Sequence, residues 1–101
     1  MTLTKKQTHQ LRALANQLKP LVHIGKNDIT ESLIKQADET LDSHELVKCQ
    51  IQDGSGCTAR EAADQLAEAL GAEVVQTIGN RAVLYRRSKR DDVEHIQLVR
   101  E

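Results

Sequence analysis

Gly25 follows the short apolar run Leu21-Val22-His23-Ile24 and precedes Lys26-Asn27-Asp28. A glycine closing a strand lets backbone amides approach an anion, and the N-terminus of a following helix adds partial positive charge. Lys26 supplies a full charge and His23 stands just ahead of the loop. Such a loop can clamp a sugar-phosphate backbone without reading sequence. A second candidate is residues 81–90, where Arg81, Arg86, Arg87, Lys89 and Arg90 meet no acid. On a strand, Arg81, Val83, Tyr85 and Arg87 share a face that could present bases and one ring, with Arg86 opposite. A third is Lys5, Arg12 and Lys19, seven apart and so a stripe on a helix, with His9 and Asn16 beside it. Each pattern also fits a bland role: Gly25 as a strand end, the arginines as a solubilising strand end, the lysines as a solvated face.

The charge along the chain is segregated. Residues 1–27 hold five bases and no acid (+5), residues 28–79 three bases against eleven acids (−8), and residues 80–101 six bases against four acids (+2). A chain of this kind can turn a basic face to a polyanion while its net charge stays at −1. One Tyr and no Phe or Trp exclude a platform of stacked rings, so the core must be aliphatic. Motifs for phosphate loops (GxxxxGK[ST]), dinucleotides (GxGxxG), zinc proteolysis (HExxH) and serine hydrolysis (GxSxG) are missing, so neither catalysis nor a cofactor is expected. Cys49 and Cys57 form no CxxC pair, and His9, His23, His44 and His95 have no ligand-like spacing, so no metal is expected. Cys49 reads as a small core residue. No apolar run reaches the roughly 20 residues of a membrane span, and no signal segment opens the chain, so a soluble cytoplasmic domain is expected.

The elements that must position these residues follow from pattern. Thr4-Lys5-Lys6-Gln7 is a capping box, and Leu11, Leu14, Ala15 and Leu18 then form one helical face, ended by Pro20. Leu21 to Ile24 is a short strand. Thr30 caps a second helix with Leu33, Ile34, Ala37 and Leu41 inward. Glu45 to Ile51 is a strand with Val47, Cys49 and Ile51 on one face, Lys48 and Gln50 on the other. Thr58-Ala59-Arg60-Glu61 opens a third helix, which Gly71 ends. Glu73 to Ile78 and Ala82 to Arg86 are strands joined across Gly79-Asn80. The polar tail could add a short edge strand at Ile96 to Val99. The order α-β-α-β-α-β-β predicts an α/β fold: a mixed four-stranded sheet packed against helices, parallel across the helical crossovers and antiparallel at the last hairpin.

An ordered set of segments carries a resemblance: Leu18-Lys19-Pro20 with Leu21 to Gly25, Gly25 to Glu31, His44-Glu45-Leu46-Val47-Lys48, and Val75 to Gly79 running into Val83 to Arg86. Over residues 3–87 the chain resembles the small bacterial YhbY-like proteins, whose domain is the CRM (chloroplast RNA splicing and ribosome maturation) domain. The resemblance implies an RNA-binding fold related to the C-terminal domain of translation initiation factor three. It implies association with precursors of the large ribosomal subunit in bacterial members and intron splicing in plant ones. It also implies a GxxG loop like that of KH domains, at Gly25, Lys26, Asn27 and Asp28. Asp28 stands where the pattern has its second glycine; Asp tolerates a left-handed backbone, but its charge opposes phosphate. Arg81, Tyr85 and Arg86 match or adjoin the last-strand motif.

The expectation is thus a non-catalytic factor, residues 1–87 being the RNA-binding domain and 88–101 a polar tail. Its expected partner is precursor large-subunit rRNA and the ribosomal particles that contain it, with no membrane and no small-molecule substrate. The expected RNA contacts are Lys5, Arg12, Lys19, His23, Gly25, Lys26, Asn27, Arg81, Tyr85, Arg86 and Arg87. A rival reading is an interaction module that docks a basic ribosomal protein through the acidic central segment.

Overall fold

The fold was taken from a computed structural model, which describes residues 3–25, 29–52 and 58–99. Helix α1 (Lys5–Ala15) starts at Thr4, whose hydroxyl accepts from the Gln7 amide while the Gln7 side chain accepts from the Thr4 amide. Strand β1 (Val22–Ile24), helix α2 (Glu31–His44), strand β2 (Leu46–Ile51), helix α3 (Ala59–Leu70) and strands β3 (Glu73–Ile78) and β4 (Arg81–Tyr85) follow. Thr30 caps α2, Thr58 closes a second capping box on α3, and Gly71 ends α3 at φ +66°. The expected element order and fold class are those of the structure.

The sheet order is β1-β2-β4-β3. β1 and β2 are parallel, and β4 is antiparallel to both β2 and β3. β2 and β3 therefore run the same way, as strands joined by a helix should, but the hairpin folds β4 back between them. In β3 the pairing slips between Val74 and Gln76, so Val75 has no opposite residue on β4 and bulges into the core.

Period-two alternation gives the sheet an apolar surface on both sides, hence three layers. On one face Val22, Ile24, Val47, Cys49, Ile51, Ala82 and Leu84 meet Leu33, Ala37 and Leu41 of α2 and Ala62, Ala63 and Leu66 of α3. On the other, Leu46, Val75, Val83 and Tyr85 meet Leu11 and Ala15 of α1, with Leu3, Ile96 and Leu98 alongside. Burial raises the Cys49 thiol to about 12, which keeps it a neutral core group.

Two expectations need correction. First, α1 stops at Ala15, well before Pro20, and Leu14 and Leu18 are exposed. Only Leu11 and Ala15 reach the sheet; the chain then turns through Gln17 N–H to Leu14 and Leu18 N–H to Ala15, which returns Leu21 to bond Lys48 on β2. Second, Ile96 to Val99 form no edge strand. Residues 88–99 run as a strap over α1, bonded by side chains: Val99 N–H to Gln10 Oε1 and Gln10 Nε2 to the Gln97 carbonyl.

Glu45 anchors that strap. It is fully buried and sits at φ +62° between α2 and β2, a backbone region that side chains other than glycine enter at a cost of about 1–3 kcal/mol. Its carboxylate accepts from Ser88 N–H and Ile96 N–H, both at 2.7 Å, and meets His95 Nδ1 at 2.6 Å. Burial pushes the Glu45 pKa up, but the bonds from His95, Ile96 and Ser88, with the charge of His95, outweigh it and hold it below the usual 4.5.

Candidate nucleic-acid interface

Helix α1 covers only part of its sheet face. Beyond Ala15 the face lies open, and the register sets a row of side chains across it: His23 opposite Gln50, Gln50 opposite Arg81, Arg81 opposite Ile78. The Arg81 guanidinium donates from Nε to Gln50 Oε1 at 2.9 Å, which ties its direction to the neighbouring strand. One row back, Lys48 opposes Val83, which opposes Gln76. With Asn16 from the end of α1, this second row and the Arg81–Ile78 pair line a shallow groove of about 300 Å³. A second depression, bounded by His23, Gly25, Gln50, Gln52 and Asn80, continues it to the Gly25 loop. No carboxylate lines either one among the described residues.

Gly25, Gln52 and the Gly79-Asn80 turn all lie at the end of the sheet where β1 and β2 finish. The chain leaves β1 and β2 there to enter α2 and α3, so both helices point their N-termini toward this end. In open α/β sheets that is where ligands gather. The Thr30 and Thr58 hydroxyls each accept from the third amide of their helix, Leu33 N–H and Glu61 N–H.

The acidic segment has become a layer. Its exposed acids Glu31, Glu39, Glu61, Asp64 and Glu68 stand on α2 and α3, across the sheet from the groove. Lys48 belongs to the same stretch of sequence but projects to the opposite face. The bipolar charge count thus has a spatial counterpart: acids outnumber the exposed bases Lys35 and Arg60 on α2 and α3, while Lys48 and Arg81 face the other side.

The structure divides the residues expected from sequence. His23 and Gly25 border the depression at the sheet end and Arg81 the groove beside it; Lys26 and Asn27 lie outside the described residues, as does Asp28. Lys19 is exposed on the turn that follows α1, so no helical stripe joins it to Arg12. Arg12 reaches across to the Val75 carbonyl at the bulge, at 3.3 Å from Nε. Lys5 stands at the far end of α1, roughly 16 Å from Asn16 by helical rise. Arg87 is exposed beyond β4, at the opposite end of the strand from Arg81.

Two residues are placed where RNA cannot reach them. The Tyr85 side chain is in the core under α1, 2% exposed, so it offers no ring for stacking. Burial, aided by the charge of Glu45, raises its pKa against the opposing effect of Arg87. Arg86 points into the other layer, bonding Asp38 at 2.7 Å, Asp42 at 3.0 Å and the Leu70 carbonyl at 3.0 Å. It holds α2, α3 and β4 together. Conversely Lys48, Gln76 and Asn16 line the groove and Gln50 the depression beside it without standing out as candidates in the sequence, although alternation puts Lys48 and Gln50 on the face away from Cys49.

Among the described residues no three His, Cys, Asp or Glu side chains converge as a metal would require, and no helix is long and apolar enough to cross a membrane.

A three-layer α/β domain with its last strand inside the sheet, and a basic, partly uncovered sheet face, is the class of protein that results. The chain belongs to the CRS1/YhbY (CRM) domain family, whose model matches residues 3–86. It is similar to "Probable RNA-binding protein YqeI" of Bacillus subtilis, 37% identical over 87 residues, covering 86% of this chain and 91% of that one. It is also similar to a Haemophilus influenzae protein named "RNA-binding protein", 33% identical over 93 residues, covering 92% and 94%. The solution structure of SAV1595 from Staphylococcus aureus matches the fold with a TM-score of 0.72 at 40% identity, covering 94% of this chain and 100% of that one.

Proposed function

We propose that this protein binds RNA through the open sheet face and the Gly25 loop, and that it acts without catalysis in the cytoplasm on precursors of the large ribosomal subunit. The observation that carries the reading is the row His23–Gln50–Arg81, with Lys48 behind it, uncovered and free of lining carboxylates beside the loop. Positive groups on a shallow face neutralise phosphates and release counterions, a contact that follows backbone shape. With the single ring buried, base stacking is minor and structured rRNA suits the face better than an extended strand. Lys26 and Asn27 join the proposal through the loop; Lys5, Lys19 and Arg87 extend it along the edges. The names of the relatives support RNA as the ligand, and the large-subunit precursor follows from the family resemblance.

The test is sedimentation of the tagged protein in a lysate gradient, at low and raised salt, for the wild type and Lys48→Glu/Arg81→Glu. Migration with particles at or just below the large subunit, lost with salt and in the variant, supports the reading. Migration at the top under every condition ends the ribosomal assignment. The rival docking role for the acidic α2–α3 layer has its own control: charge reversal at Glu61 and Asp64, both exposed, should leave particle association intact if RNA is the ligand.

A further inference from the structure

We infer that the groove between the end of α1 and β2 is a docking site for an amphipathic, acidic helix of a partner protein. Three of the five exposed large hydrophobic residues among those described, Leu14, Leu18 and Leu21, meet in this one groove of about 380 Å³, over Leu46. Scattered singly such residues need no explanation; gathered on one concave patch they mark a contact surface. Its rim carries Lys19, Lys48 and His44, and no carboxylate lines it among the described residues. Leucine side chains offer nothing to phosphate or to a base plane, so the floor favours aliphatic side chains. The rim adds the charge complement: apolar anchors at i, i+4 and i+7 enter the groove while flanking glutamates face the lysines. The early end of α1 shapes the site, because the turn through Gln17 and Leu18 returns Leu21 to β2, where it borders the same groove as Leu14 and Leu18. The inference does not depend on RNA binding.

The test uses a labelled synthetic peptide with leucines at i, i+4 and i+7 and glutamates between them. It is titrated into the full chain and followed by fluorescence anisotropy and leucine-methyl NMR. Saturable binding with shifts at Leu14, Leu18 and Leu21 is expected. The same peptide with lysine for glutamate should fail to bind. Leu14→Ala/Leu18→Ala should weaken the glutamate peptide by roughly tenfold; both side chains are exposed, so melting temperature and RNA affinity should hold. Three results would overturn the inference. The first is absence of saturable binding, or binding that the double variant leaves unchanged. The second is an RNA oligonucleotide that shifts the same methyls and whose affinity falls in Leu14→Ala/Leu18→Ala, making the groove floor part of the nucleic-acid face. The third is self-association of the free chain that the double variant abolishes, making the occupant a second copy.

Discussion

His95 Nδ1 lies 2.6 Å from Glu45 Oε2, and this contact ties the end of the chain to the junction between α2 and β2. The carboxylate also takes the amides of Ser88 and Ile96, so one buried side chain organises the strap at three points. A strained backbone at Glu45 is retained because no residue lacking that side chain could make these bonds.

Glu45→Gln should therefore destabilise the fold by about 3 kcal/mol, since an amide NH2 would face a donor that the carboxylate now accepts. Chemical denaturation measures the loss. Limited proteolysis should show earlier cleavage within residues 88–99.

Acid should act through the same group. Its folded pKa lies below the ordinary 4.5, so at intermediate pH the unfolded chain binds a proton that the folded chain does not. Stability from Glu45 is complete above that ordinary value and fades as pH drops through the folded one. Acid titration followed by circular dichroism should show this fall in the wild type and a flatter profile in Glu45→Gln.

Arg81 and Arg86 should separate binding from folding. Arg86→Met leaves Asp38 and Asp42 facing an apolar chain and should cost about 2 kcal/mol, with RNA affinity of the folded fraction unchanged. Arg81→Met should stay within about 0.5 kcal/mol in stability. It should weaken RNA roughly fivefold and lower the salt slope by about one. Equal RNA losses in both variants would contradict the division.

Cys49 should be inert. With its thiol held at about 12, a disulfide reagent added to a Cys57→Ser variant should react only as fast as the protein unfolds. Prompt reaction in native buffer would show that the β2 face is not closed.

Helix starts were legible because their signals are local: Thr4, Thr30 and Thr58 each cap within three residues of themselves. Strand faces were legible from alternation, which put Lys48 and Gln50 opposite Cys49. What sequence could not convey is which layer covers which face. Arg86 looks like any other base in 81–90, and only the return of β4 between β2 and β3 brings it to Asp38, 48 positions away. Tyr85 resembles a stacking ring until α1 lies over it. Of the leucines whose spacing suggests a helix to Pro20, only Leu11 reaches the core, while Leu14 and Leu18 stay exposed.

The last strand in sequence is an inner strand of the sheet, and the strap after it clasps the first helix. A nascent chain that has emerged only through β3 thus offers β2 with one edge unpaired, β3 without its neighbour, and α1 without Val83, Tyr85 or Ile96 to rest on. Such long-range closure cannot be assembled in order from the N-terminus. Closure of the sheet therefore waits for β4, and a chain stopped ahead of it would lack the strand that joins β2 to β3.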